Sequence, residues 1–357
     1  MAAYTTIDNP ELYFQTKLFT GNGSTQSITL DGSENMQPDW VWIKNRETTD
    51  GHSFYDVIRG VNKVLRSDNN VAEVSQTNGL SAFDTDGFSI GDNGTINENA
   101  DGIVSWNWKA GTSFTNDASA TSIGSIDSTG SVSDTAGFSI VTWTGTGSAG
   151  TIKHGLSTAP STIITFCRST GYHHSTFHHK NTSAPETEVI YLNLANATAD
   201  DSGFWNDTLP TTSVFSVGTD NSVNQSSETY VAYCFAEKQG YSKFGSYIGN
   251  GNVDGTFVYT GFKPAFLILK RSSTTGNWIL YDNKRDIDNP VTTLLSPNQS
   301  TVESTMSTSQ PRCDFYSNGF KMRGTGGDGN GSDDTILYFA FAESTFVNSK
   351  GVPNNAR

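Results

Sequence analysis

The chain has 357 residues, of which 16% are charged and 34% hydrophobic, and its formal net charge is −14. The length exceeds one ordinary core and predicts two or three domains. The acidity, with no Lys/Arg run, argues against binding to a nucleic-acid backbone or an anionic membrane surface and reads as a solubilising, mutually repelling surface charge.

Thr, Val, Ile, Phe, Tyr and Trp alternate with turns rich in Gly, Asn, Asp and Ser, which predicts an all-β protein of many short strands. The opening "MAAYTTIDNP" has neither the basic nor the apolar region of a signal peptide. No apolar run approaches the roughly 18 residues of a spanning helix, so no membrane insertion is expected. Cys167, Cys234 and Cys313 follow no motif and read as buried reduced thiols assembled in a reducing cytoplasm.

In chain order, the first landmark is an aromatic two residues before Gly-x-Gly, in "FTGNG" from Phe19. It returns as "WTGTG" from Trp143 and "YIGNG" from Tyr247. The glycines are expected to supply the positive φ angles of a tight hairpin. Next comes a proline opening a strand, at Pro38, Pro160 and Pro264, with a basic residue closing it, at Arg46, Arg168 and Arg271. A further strand aligns Phe54-Tyr55-Asp56 with Phe177-His178-His179 and Leu280-Tyr281-Asp282, followed by Leu65, Leu192 and Leu294. The closing pair aligns Phe88, Phe215 and Phe320, then places Trp106 and Trp108 over Tyr233 and Phe235 and over Phe339 and Phe341.

One unit is therefore written three times. The fold predicted is all-β: three tandem antiparallel β-sandwich domains of jelly-roll or concanavalin-like type, each with its own aromatic interior. The boundaries expected are 1–111 with an N-terminal arm, 112–136 as an extended Ser/Thr/Gly-rich linker, 137–240, and 241–357 with a surface tail. The tight junction at Glu237–Tyr247 predicts a shared interface between the second and third units. In "YVAYCFAE", Tyr230, Ala232, Cys234 and Ala236 take one face and Val231, Tyr233 and Phe235 the other, as in a strand packed on both sides.

Chemistry-bearing motifs are sparse. "GTGGDGNGSDD" from Gly324 lacks the Lys-Ser/Thr of a phosphate loop and reads as a hairpin loop. "GYHHSTFHHKN" from Gly171 holds four of the six histidines; on a strand, His174 and His178 share a face and are the candidate metal ligands, against a plainer reading as a solvated edge. Acidic loops at Asp84, Asp86 and Asp92 and at Asp328, Asp333 and Asp334 could offer calcium oxygens, but ordinary turn chemistry accounts for them. Most tryptophans match Phe or Tyr in sister units and belong to cores. Trp205, in "DDSGFWNDTLP" with Asp201 and Asn206, is the candidate exposed ligand contact. No paired carboxylates or activated nucleophile recur, so neither an enzyme nor a cofactor is expected.

The phrases "YTTIDNPELYFQTKLFTGNGSTQSITLDG", "MQPDWVWIKNR", "VSWNWKAG", "GFSIVTWTGTGSAGTIKHGLSTAP" and "VNQSSETYVAYCFAEKQGYSKFGSYIGNGNVDGTFVYTGFKPAF" resemble virion proteins of tailed phages of marine bacteria, cyanophages especially. The resemblance implies a structural or attachment role as a tail-fibre or appendage component in the virion. Its implied partners are other virion proteins and a host glycan or receptor, and a homotrimer is expected by analogy with fibres. The alternatives are a capsid decoration or adaptor protein and, from another class, a glycan-degrading enzyme. The resemblance brings no catalytic residues, and the histidine cluster is not part of its pattern.

Overall fold

In the computed structural model, which describes residues 4–353, each repeat builds the same four-strand ladder. The first places Phe14–Thr20, Gly102–Trp108, Trp40–Asn45 and Ser53–Asp56 side by side, all antiparallel. The second orders Phe138–Thr144, Thr229–Phe235, Thr162–Cys167 and Ser175–His178 likewise. The third repeats it with Ser242–Ile248, Thr335–Thr345, Phe262–Arg271 and Trp278–Asp282. The fold is all-β, as the β-branched and aromatic runs between turn residues require.

A second, smaller sheet covers one face of each ladder. It comprises Gln26–Ile28, Gly87–Ile90 and Leu80–Asp84 in the first repeat. Gly150–Lys153 and Val214–Val217 form it in the second, and Phe257–Tyr259, Gly319–Met322 and Cys313–Tyr316 in the third. Between the two layers lies a private core. There the aromatic before each Gly-x-Gly meets the matched phenylalanine edge-on: Phe19 with Phe88 at 6.2 Å, Trp143 with Phe215 at 5.6 Å, and Tyr247 with Phe320 at 5.8 Å.

The opposite faces do not fill three separate interiors, as the sequence suggested. They converge on one common core holding Trp106, Trp108, Tyr233, Phe235, Phe339 and Phe341 together. Trp108, Phe235 and Phe341 are matched residues, and their rings close a triangle with centroids 6.5, 5.6 and 5.6 Å apart. The repeats thus surround a pseudo-threefold axis. Each ladder is packed on both sides, with Val231, Tyr233 and Phe235 facing the axis and Tyr230, Ala232 and Cys234 facing the private core. Tyr241 and Phe244, in the tight junction, also enter the common core.

Residues 112–136 are not an extended linker. Thr112–Asn116 and Ser128–Ser133 are strands that extend the second ladder past Phe138–Thr144. The segment is poor in large side chains because an edge ladder needs only backbone pairing. Gly130 is required there, since a Cβ would meet Ile140 O at 2.3 Å and the Phe114 ring at 2.7 Å. The N-terminal arm reaches the third repeat, where Tyr4 donates to Gly261 O at 2.9 Å. The C-terminal tail folds back as far as Pro353: Val347 bridges to Pro353, and Ser349 N donates to Asp8 Oδ1 at 2.7 Å. The final residues of that tail, 354–357, lie outside the described residues.

The ladder register also corrects three alignments, the first being that Leu65 corresponds to Ile190 and Leu295, opposite Phe54, Thr176 and Leu280, rather than to Leu192 and Leu294. Trp42, Ile164 and Ile268 are equivalent, because each lies between the matched rungs Trp106, Tyr233 or Phe339 and the next strand's Phe54, Thr176 or Leu280. Asp56 therefore corresponds to His178, not His179, and to Asp282. Arg46 and Arg168 correspond to Ser272, one residue beyond Arg271. Arg271 pairs instead with Asp334 of its own repeat at 2.6 Å.

Candidate functional site

The polar side chains with most chemical capacity lie in the seams between repeats. Asp56 and Arg59 are both wholly buried and paired, Nε to Oδ2 at 2.5 Å. The same carboxylate oxygen accepts from Tyr233 Oη of the next repeat at 2.7 Å. Arg59 Nη1 reaches Glu73 at 3.1 Å, and Glu73 takes both arms of Arg168 of the second repeat at 3.0 Å each. Burial acts to raise the Glu73 carboxyl, and the two guanidinium groups overcome it and hold it below the ordinary range.

The seam between the third and first repeats is built alike. Asp282 pairs with buried Arg285 at 2.6 Å and accepts from Trp106 Nε1 at 3.0 Å. Arg285 reaches Glu303 at 3.0 Å, and Glu303 takes Arg46 of the first repeat at 2.9 and 2.6 Å. The remaining seam, between the second and third repeats, lacks these ion pairs and is crossed instead by Lys270 Nζ donating to Ala195 O at 3.0 Å. His178, Asn181 and Thr198 stand where the others have Asp, Arg and Glu, with Thr198 Oγ1 donating to Asn181 Oδ1 at 2.6 Å. The backbone survives the change: Glu73 N, Glu303 N and Thr198 N donate to Arg168 O, Arg46 O and Ser272 O respectively.

The histidines belong to this scheme. His52, His174 and Trp278 are equivalent. Each aims a ring N–H at a carbonyl of a neighbouring repeat: Ser296 O at 3.1 Å, Asn69 O at 2.6 Å and Tyr191 O at 2.9 Å. Trp278 can only donate, which fixes the shared role. His52 is thereby the Nε2–H tautomer, and its Nδ1 accepts from Trp42 Nε1 at 2.8 Å. His178 spends both nitrogens, on Tyr338 O at 3.3 Å and Lys180 N at 3.2 Å, and rests on the Phe339 ring at 4.9 Å. Burial pushes the His174 ring down to about 4 and the His178 ring to about 3. His174 and His178 face different repeats, so the candidate metal pair is a pair of packing residues. His173 is exposed and His179 half-exposed.

Trp205 is buried, not exposed. It closes a one-turn helix, Ser202–Trp205, and donates to Glu188 O at 3.0 Å. Asp201 caps that turn through Gly203 N at 2.8 Å, and Asn206 ends it in the left-handed region at φ 52°. The three residues form a folding motif rather than a ligand contact. In the acidic loops, Asp84 accepts from Ser89 and Asp92 from Asn78, while Asp334 pairs with Arg271. Among the described residues no group of His, Cys, Asp and Glu is placed to hold a metal ion.

Sequence reasoning missed Asn97, Asn224 and Asn330. Each is fully buried at the end of a one-turn helix and clamps its repeat's Gly-x-Gly. Their Oδ1 atoms accept from Asn22 N, Thr146 N and Asn250 N at 2.9, 2.9 and 3.1 Å. Their Nδ2 atoms donate to Gly91 O, Gly218 O and Gly324 O. The stretch from Gly324 is thus a helical turn, Gly327–Asn330, rather than a plain hairpin loop. The Gly-x-Gly is not the tight hairpin expected, because the strands on either side of it belong to different sheets; only its second glycine has positive φ, and the first admits no Cβ, which would lie 2.0–2.2 Å from a carbonyl oxygen. The signal was present: an asparagine nine positions before Trp106, Tyr233 and Phe339.

A family model described as a domain of unknown function, DUF7483, matches residues 9–345. The chain belongs to this family. No curated protein matches it. The DUF7483 match spans all three repeats.

Proposed function

We propose that the chain is a structural and binding component of a tailed-phage virion, a tail-fibre or appendage protein that contacts the host surface. The observation that carries this reading is the use made of its reactive side chains. The Asp–Arg–Glu sets and the buried His52, His174 and His178 are consumed in fixing three repeats to one another, so what the body offers its surroundings is surface. The phage-like phrases of the sequence and the acidic exterior point the same way. On this reading the chain assembles in the host cytoplasm into the virion, acts without catalysis or cofactor, and has other virion proteins and a host glycan or receptor as partners. A homotrimer is proposed by analogy with fibre proteins.

Antibody labelling of particles that encode the protein tests this. Label at the tail or a unique vertex is expected. Label scattered over the shell would favour a decoration protein, and unlabelled particles would overturn the virion assignment. Release of reducing ends from host polysaccharide by the purified chain would instead favour a glycan-degrading enzyme.

A further inference from the structure

The three repeats serve as one another's controls, and the third departs from its sisters on the solvent face of its small sheet. Ile28, Ile152 and Val258 are equivalent, each opposite the matched phenylalanine. The outward neighbours are Ser27 and Thr29 in the first repeat and Thr151 and Lys153 in the second. In the third they are Phe257 and Tyr259, 45% and 47% exposed. One strand further, Tyr316 stands where the first repeat has Asp84. Tyr259 is engaged by the Tyr4 hydroxyl at 3.1 Å and by Lys243 over its ring at 5.4 Å, whereas the same sheet forms in the first repeat with the small polar Ser27 and Asp84 where the third has Phe257 and Tyr316.

Phe257 lies edge-on to Tyr316 at 6.1 Å, across Gly319. The Tyr316 hydroxyl is tied to Arg323 Nη2 at 2.8 Å and to Asp314 at 2.9 Å. Those two residues line an open hollow of about 350 Å³ with Val253, Asn289, Pro290 and Arg312. Arg323 is committed to Asp314 at 2.5 Å, and Lys321 to Asp254 at 2.5 Å. Arg312 has no carboxylate partner among the described residues; its Nε donates to Arg323 O at 3.2 Å. The patch therefore carries three cations against two carboxylates within a chain of net charge −14.

The geometry points to a binding site for an acidic polysaccharide, with the exposed Phe257 ring as the stacking face, Tyr316 as its edge-on support and Arg312 as the partner of a uronate carboxylate. The apolar C–H face of a pyranose ring suits an exposed aromatic face, and a free guanidinium fork suits a carboxylate. This deepens the attachment reading and rests on it by giving the host-facing surface a place and a ligand class.

Calorimetric titration of the full chain with sodium alginate and polygalacturonate, with dextran as the neutral control, tests the site. Polyuronate binding and no dextran binding are expected. Phe257→Ser, Arg312→Gln and the sister-like double variant Phe257→Ser/Tyr259→Thr should each weaken it about tenfold or more, the order of one charge-assisted contact. Unchanged melting temperatures show that the variants fold. Absence of polyuronate binding, equal affinity for dextran, or binding indifferent to both single substitutions would overturn the site. The attachment reading fails on a different result, the lack of label on particles, so the two can fall separately.

Discussion

The hydroxyl of Tyr233 donates to the carboxylate of Asp56 at 2.7 Å, across 177 positions of sequence and the border between two repeats. Asp282 holds Trp106 in the same way, and His178 lies against Phe339. Each repeat thus grips the matched aromatic rung of the next, and the circle closes from third to first. An isolated repeat would leave that grip empty and its inner face in water.

Asp56→Asn should destabilise the whole chain by about 3–5 kcal/mol, because Arg59 would lose its wholly buried carboxylate and keep only that of Glu73 at 3.1 Å. Asp282→Asn should do the same through Arg285. In denaturant titrations the double variant Asp56→Asn/Arg59→Met should recover much of the loss. A loss below about 1 kcal/mol, the value of an exposed pair, would contradict the burial seen for this seam.

Phe235→Ala, at the axial triangle, should cost about 3–5 kcal/mol. It should loosen all three repeats together, since Trp108 and Phe341 lose a common neighbour. Hydrogen exchange followed by mass spectrometry distinguishes this from independent domains. If backbone protection fell only in residues 137–240, the common core would not be cooperative.

Asn224→Ala should cost about 1–3 kcal/mol by stranding Thr146 N and the carbonyls of Ser148 and Gly218 without partners. Asn97→Ala and Asn330→Ala should cost similar amounts. A thermal melt in which all three are silent would remove the asparagine from the account of the Gly-x-Gly turn.

Acid should destabilise the protein above the range in which ordinary carboxylates protonate. Burial holds His174 and His154 at about 4, His178 at about 3 and His52 well below its ordinary 6.5. The unfolded chain takes up these protons near 6.5. Between there and pH 4 it binds more protons than the folded chain, so stability is full above about pH 6.5 and lost as the pH falls towards 4. The slope is at most about 1.4 kcal/mol per pH unit for each ring. Asp39, pushed up to about 6 by burial, acts in the opposite sense in the same window, as do Asp68 and Asp328 with raised values. The four rings outweigh them, and the urea midpoint should fall between pH 7 and pH 5. A rise would contradict the neutral, buried histidines.

The fold class, the threefold repetition and the matched rungs were legible in the sequence because they are local. A strand's two-residue period shows in "YVAYCFAE", and the spacing from Phe88 to Trp106 returns unchanged from Phe215 to Tyr233. Periodicity also says that both faces of such a strand are covered, as they are. It cannot say what covers them, and a private core and a shared core ask for the same apolar residues. Only the tertiary structure decided that Trp108, Phe235 and Phe341 meet one another, that Thr112–Asn116 and Ser128–Ser133 are ladder rather than linker, and that Trp205 faces inward. Asp56, His178 and Glu73 acquire their partners from other repeats, and such pairing leaves no trace in local composition. The sequence determined the unit; long-range packing and electrostatics determined how three of them close into one body.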